Sequence, residues 1–389
     1  MELIPLHGTV AAQSESKARM ANLDAIRGLA VLGIFFLNIY FMGNPYYGYI
    51  QHQHIPNTDM LIEIFSNFFL EGRFISLFSI LFGVGLLLQY QRFLAHGLDA
   101  VRLLKSRLFW LIVFGLIHGI FIWPGDILLT YGISGFLAMR YLSQASEQGN
   151  AAAIEQKAYR FILASLVVIF LISLAGQEPM LLRGSEAFQS QSQLWTSSYP
   201  KQLVLHVTQV AYMAIVIPLT LMWFTAGLML LGMSLYHQGI FHRGFNRSQL
   251  LKLASVSLVL SILDSLLSFS GTPSLINASD VIVLMSAIPM ALIYIHLMVK
   301  LCRNAPHRLT VLQHVGKLAF SLYILQSLFG VAVFRYLAPE LIEHLDRFAY
   351  MAIAVGFSVC QLTIATFYFT YFTQGPLEHL WRTLAVKNR

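Results

Sequence analysis

Leu23-Asp24-Ala25-Ile26-Arg27-Gly28-Leu29-Ala30-Val31-Leu32-Gly33-Ile34-Phe35-Phe36-Leu37-Asn38-Ile39-Tyr40 puts a carboxylate and a guanidinium at the start of an otherwise apolar run. An ionised side chain within a hydrocarbon-bound helix costs about 2.5–3.5 kcal/mol on insertion scales, so such groups pair, face the protein interior or do chemistry. Asp24 and Arg27 stand three residues apart on one helical face, where each can neutralise the other. Asn38 follows eleven residues after Arg27, about three turns along and near the same face. This stretch reads as a membrane-spanning helix with polar groups at both ends.

The rest of the chain agrees. Over 389 residues, 57% are hydrophobic and 11% charged, and the mean hydropathy is +0.66. A soluble domain carries about 25% charged residues. Several apolar runs reach the ~20 residues that span a bilayer. The chain is therefore expected to be an all-α polytopic transmembrane bundle of about ten spans, near 22–43, 73–93, 103–122, 126–143, 158–177, 204–235, 249–268, 280–301, 314–334 and 348–372. Residues 1–21 form a lead, 22–372 the bundle and 373–389 an amphipathic tail.

A net charge of +7 invites a nucleic-acid reading, but its distribution excludes one. Nineteen of the 25 Lys and Arg fall in the tails and the even-numbered connections. Only Arg183, Lys201, Arg335 and Arg347 fall on the other side. The positive-inside rule then puts both termini in the cytoplasm. Partner one is the lipid bilayer. The first apolar run has span length and no small-x-small cleavage site, which fits an uncleaved signal-anchor. Cys302 and Cys360 have neither CxxC nor Cys/His spacing, so no disulfide framework or metal site is expected.

Residues 59–93 are helical in pattern but too long for one crossing at ~1.5 Å per residue. The pattern predicts an interfacial helix near 59–71, a junction at Glu71-Gly72-Arg73 and a span from Arg73. Trp123-Pro124-Gly125-Asp126 is a tight turn between two spans. Gly115 and Gly119 form a GxxxG that lets helices approach closely. Residues 178–203 make the longest outside connection, and Pro218 predicts a kink.

Candidate chemistry collects on two sides. Asp24 and Arg27, with Arg73, are basic-anchor candidates for an anionic donor such as the phosphates of coenzyme A; a structural ion pair is the alternative. On the outer side His52 and His54 have the ordinary imidazole pKa of about 6.5 that suits a general base. Asn38 either hydrogen-bonds between helices or orients a catalytic imidazole. His118 and Asp126 converge as a base and its orienting acid, or Asp126 caps the next helix. Asp264, His296, Ser321 and Gln326 read as interhelical hydrogen-bonding groups. No phosphate loop, GxSxG elbow or HExxH occurs.

Four stretches carry a resemblance: Leu23 to Ile34; Leu77-Phe78-Ser79-Ile80-Leu81-Phe82-Gly83-Val84-Gly85; Gly115 to Gly119 with Trp123 to Gly132; and Val315-Gly316-Lys317 to Ser327 with Gln374 to Arg382. They resemble the YeiB-like family of bacterial polytopic membrane proteins. That family is similar in pattern to heparan-α-glucosaminide N-acetyltransferase and the acyltransferase-3 group, which share the Asp-x-x-Arg-Gly opening. The acyltransferase-3 pattern has a His eleven residues after the Arg, where this chain has Asn38. The heparan-type enzymes have Asn there and a catalytic His in the following loop, which would map to His52 or His54. The resemblance implies a bacterial cytoplasmic-membrane protein using acyl-CoA (acetyl-CoA in the simplest case) as donor, with no resident cofactor. An envelope glycan or small molecule bearing an amine or hydroxyl would be the acceptor. A small-metabolite exporter and a non-catalytic scaffold are the alternatives.

Overall fold

A computed structural model of the chain describes residues 7–44, 48–175, 181–270, 272–304 and 309–387. Pro45 to Tyr47 of the loop after the first helix and 178–180 of the expected 178–203 connection lie outside the described residues. Helices α1 (His7–Gly43), α2 (Asn57–Phe69), α3 (Arg73–Ala95), α4 (Ala100–Phe121) and α5 (Leu128–Met139) make the first half, closed by α6 (Ala151–Ala175). Then follow α7 (Glu186–Trp195), α8 (Tyr199–Leu219), α9 (Leu221–His237), α10 (Arg247–Ser268) and α11 (Pro273–Asn304). Last come α12 (Thr310–Lys317), α13 (Ala319–Val331), α14 (Arg347–Tyr371) and α15 (Pro376–Lys387). Among the described residues, eight helical stretches are long and apolar enough to cross a membrane. The fold is all-α, and the only extended pairing among the described residues is an isolated bridge between Gln51 and Leu182.

Helix α1 reaches back to His7, so its first turns occupy most of the expected 1–21 lead. The junction at 71–73 is present: α2 ends at Phe69, Gly72 takes φ 72°, and α3 starts at Arg73. Two expectations change. The expected fourth span, 126–143, contains only the twelve residues of α5, a length of about 18 Å. Its buried face lies against α3, α4 and α9, so it is walled by protein rather than lipid. The expected sixth span, 204–235, is two helices meeting at Thr220. Pro218 removes one helix donor, Trp223 Nε1 donates to its carbonyl at 3.0 Å, and Ser165 Oγ donates to the Thr220 carbonyl at 2.8 Å. These bonds satisfy backbone groups that a break in mid-bundle would leave exposed.

Glycines set the closest crossings. A Cβ on Gly28 would land inside the Leu312 carbonyl, and one on Gly316 inside the Asp24 carbonyl, so α1 and α12 touch backbone to backbone. Gly83 and Gly232 give α3 and α9 the same contact. Without a hydrophobic drive between helices in lipid, such close packing is a main source of association. Interior amides add bonds: Gln326 Nε2 donates to the Val31 carbonyl (3.0 Å) and to Gln361 Oε1 (3.1 Å), joining α1, α13 and α14. Cys302 is buried in α11, and Cys360 lies on the outward face of α14 within its apolar span.

The two ends of the bundle differ in how they treat cations. At one end α1, α3, α4, α12 and the tail helix α15 place Arg27, Arg92, Arg107, Lys317 and Arg382 around a common space. At the other end Arg183, Arg335 and Arg347 are consumed internally. Arg183 donates to the Ile50 carbonyl (2.8 Å) and Asn44 Oδ1 (3.2 Å). Arg335 donates to Gln202 Oε1 (3.1 Å) and His206 Nε2 (2.7 Å) and lies over Trp195. Arg347 pairs with Glu63 at 3.2 Å. Tyr49 donates to Asp59 there; burial pushes its phenol above the ordinary value and the Asp59 bond and charge push it further.

Candidate functional site

At the basic end the helices enclose a cavity of about 800 Å³, inside the roughly 300–1,000 Å³ span of small-molecule sites. Its mouth is polar because five helices each deliver a cation there: Arg27 from α1, Arg92 from α3, Arg107 from α4, Lys317 from α12 and Arg382 from α15. Two carboxylates share the wall, and both are engaged. Asp24 Oδ1 accepts from Arg27 at 2.8 Å. Glu378 accepts from the amides of Phe320 (2.9 Å) and Ser321 (3.1 Å) and from Ser321 Oγ (2.5 Å). It thereby caps α13 through the favourable field of a helix N-terminus. Trp381 Nε1 donates to the Arg107 carbonyl (2.9 Å), so the tail helix is fixed as one side of the mouth.

Beyond the cations the walls turn apolar, with Ile34, Leu81, Phe82, Leu108 and Leu111. From Arg27 to Ile34 the cavity follows α1 for about 10 Å at ~1.5 Å per residue. Its inner lining includes Ile127, Tyr131 and Tyr323. The Tyr323 hydroxyl accepts from the Ile127 amide at 3.1 Å, and its ring centroid lies 5.2 Å from the His118 ring.

His118 and Asp126 form a buried pair. His118 Nδ1 donates to Asp126 Oδ1 at 2.8 Å, with side chains 1% and 4% exposed. Asp126 Oδ2 accepts from the Leu129 amide at 2.7 Å, so the same carboxylate orients the imidazole and caps α5. The structure thus brings His118 and Asp126 together and gives Asp126 the capping contact as well. Gly115 makes this geometry feasible: a Cβ there would meet the Leu129 amide nitrogen at 2.5 Å and Asp126 Oδ2 at 2.7 Å. The bond at Nδ1 sets the tautomer and leaves Nε2 as the basic nitrogen. Nε2 is buried and has no hydrogen-bond partner. At the end of α4, His206 Nδ1 donates to the Ile120 carbonyl (2.9 Å) and Tyr199 to the Phe121 carbonyl (3.0 Å), which steadies the turn that carries Asp126.

The other candidates sit elsewhere. His52 and His54 line a separate cleft of about 400 Å³ with Arg183, Glu343 and His344. His52 Nε2 donates to the Leu345 carbonyl at 3.3 Å. Among the described residues no hydrogen bond or ring contact joins either histidine to His118. Asn38 is buried and its Nδ2 has no partner. Arg73 does not line the basic cavity; it is fully buried between α2, α3, α10 and α11. Sequence reasoning found Arg27 but not Arg92, Arg107, Lys317 and Arg382 as its companions. Their only linear signal was the excess of Lys and Arg in the even-numbered connections and the tail.

Residues 235–388 match a family described as "Protein of unknown function (DUF418)". The chain is 27% identical to "Uncharacterized protein YeiB" of Escherichia coli K12, over 95% of this chain and 97% of that protein. It is 26% identical to "Uncharacterized protein YxaH" of Bacillus subtilis 168, over 94% of each. A 39.9 kDa protein from Bacillus acidopullulyticus is 31% identical over 44% of this chain. The first two likenesses run nearly from end to end, so the YeiB-like resemblance read from four motif stretches extends across the chain.

Proposed function

We propose that the chain is a transmembrane acyltransferase that takes an acyl-CoA from the cytoplasm and acylates an amine or hydroxyl presented from the other side. The observation that supports this reading is a cation-rimmed mouth and an apolar throat lined at its inner part by Tyr323, with a carboxylate-oriented histidine whose ring lies 5.2 Å from that of Tyr323. The Lys and Arg bias supports a cytoplasmic position for the basic end. Five cations against two engaged carboxylates suit the phosphates of coenzyme A, and arginine adds bidentate geometry. The apolar throat suits the pantetheine arm and acyl group.

Catalysis then needs a base on the acceptor. His118 Nε2 takes the proton of the attacking amine or hydroxyl, the acceptor's nitrogen or oxygen bonds to the thioester carbonyl, and the carbon–sulfur bond breaks. The imidazolium returns its proton to the departing thiolate. Asp126 holds the tautomer and stabilises the imidazolium. Tyr323 separates the throat from His118 and must swing aside for the thioester to arrive. Arg73, His52, His54 and Asn38 take no part in this step.

Purified protein in nanodiscs tests it through acetyl-CoA binding and consumption. Binding weakens about tenfold, or about 1.4 kcal/mol, in each of Arg27→Ala and Arg382→Ala, as loss of a charge-assisted contact predicts. It also falls as salt rises. Absence of binding across short-chain acyl-CoAs would falsify the donor assignment and redirect attention to a transported anion.

A further inference from the structure

A second polar centre lies inside the apolar part of the bundle, apart from the cavity. Arg73, with no exposed surface, donates to the carbonyls of Asn67 and Glu71 and to the hydroxyls of Ser261 (3.0 Å) and Ser286 (2.7 Å). Four helical segments thus hold one guanidinium in place. Beside it, on α10, is Asp264. Its carboxylate is fully buried, and neither oxygen has a hydrogen-bond partner. The charged groups acting on it from the neighbouring elements are Glu71 at the α2–α3 turn, Arg73 on α3, Asp280 on α11 and Glu63 on α2.

The serines and carbonyls already satisfy much of Arg73, so Asp264 is not consumed as its hydrogen-bond acceptor. Burial without donors favours the neutral acid, whereas the nearby guanidinium favours the anion, and the two pulls oppose one another. Intramembrane carboxylates with this character mark proton paths.

We propose that Asp264 is an intramembrane proton-binding site with Arg73 as its fixed counter-charge. The carboxylate oxygen takes H⁺ from water and returns it to water; no electron moves and no other bond changes. The assignment is independent of the acyl-CoA reading and stands if that reading fails.

Infrared difference spectroscopy of the full chain in liposomes reads it directly, because a protonated carboxyl has a C=O stretch separate from the carboxylate bands. Lowering the pH is expected to raise such a band, shifted by deuterium exchange and lost in Asp264→Asn. The neutral pair Arg73→Gln with Asp264→Asn removes both charges together, guards against misfolding of the single variant, and must lose the same band. Arg73→Gln alone should move the band's midpoint upward by about one to three pH units, because it removes a nearby opposite charge. No titrating band in the folded wild type would mark Asp264 as a static structural group. A band unchanged in both Asp264 variants, or one lost in Glu71→Gln or Asp280→Asn instead, would overturn the assignment.

Discussion

Gly316→Val yields no monodisperse protein on size-exclusion chromatography in detergent, whereas Gly85→Ala at an open position behaves as wild type. At Gly316 a Cβ would occupy the space of the Asp24 carbonyl, with the Gly28 amide nitrogen also within 2.9 Å. The obstacle is backbone on both helices, so no rotamer change relieves it. Overpacking of this kind costs about 1–3 kcal/mol where side chains can yield, and more where they cannot. The damage is also local to function: the displaced segment carries Asp24 and Arg27 on one side and Lys317 on the other, all three lining the cavity. Gly28→Val is the reciprocal substitution and should fail in the same way. Recovery of a folded, ligand-binding Gly316→Val protein would show that α1 and α12 do not meet as described.

His118→Asn should abolish acetyl-CoA turnover while leaving donor binding intact. Removing a general base costs about 10²–10⁴ in rate. The phosphate-facing cations belong to other side chains, so affinity should barely move. Asp126→Asn separates the two duties of that residue. Its amide oxygen can still accept from the Leu129 amide and cap α5, so folding is retained. It no longer holds a charge against the imidazole, and the rate should fall with little change in melting temperature. Turnover at the wild-type rate in His118→Asn, with folding confirmed, would remove the histidine from the mechanism and return the question to His52 and His54.

Much of this site could be read from the sequence where the chemistry is local. Asp24 and Arg27 pair because they are three residues apart on a helix, and they do so at 2.8 Å. Asp126 follows a Pro-Gly turn and caps the helix that such a turn begins. The Glu71-Gly72-Arg73 break was visible because the helical pattern over 59–93 is too long for one crossing. What stayed hidden depends on contacts between distant segments. Arg73 reaches hydroxyls 188 and 213 residues away, and no spacing rule connects such positions. The five cations of the cavity mouth arrive on five different helices, so the sequence shows their number but not their convergence. Pro218 marked a kink, yet the full break at Thr220 needed partners from α6, which only the packing supplies.

The placement of the two thiols turns the chain into its own labelling background. Cys302 is buried in α11, and Cys360 faces outward in the middle of an apolar helix, where hydrocarbon would surround it. A thiol reacts as its thiolate and needs water to form one, so neither meets a charged, membrane-impermeant maleimide. A single cysteine introduced at His54 or at Val386 would then be the sole reactive group in intact cells. Modification at His54 from outside, with Val386 silent until the membrane is opened, is the pattern that the distribution of lysine and arginine requires; the reverse pattern would invert the orientation of the whole bundle.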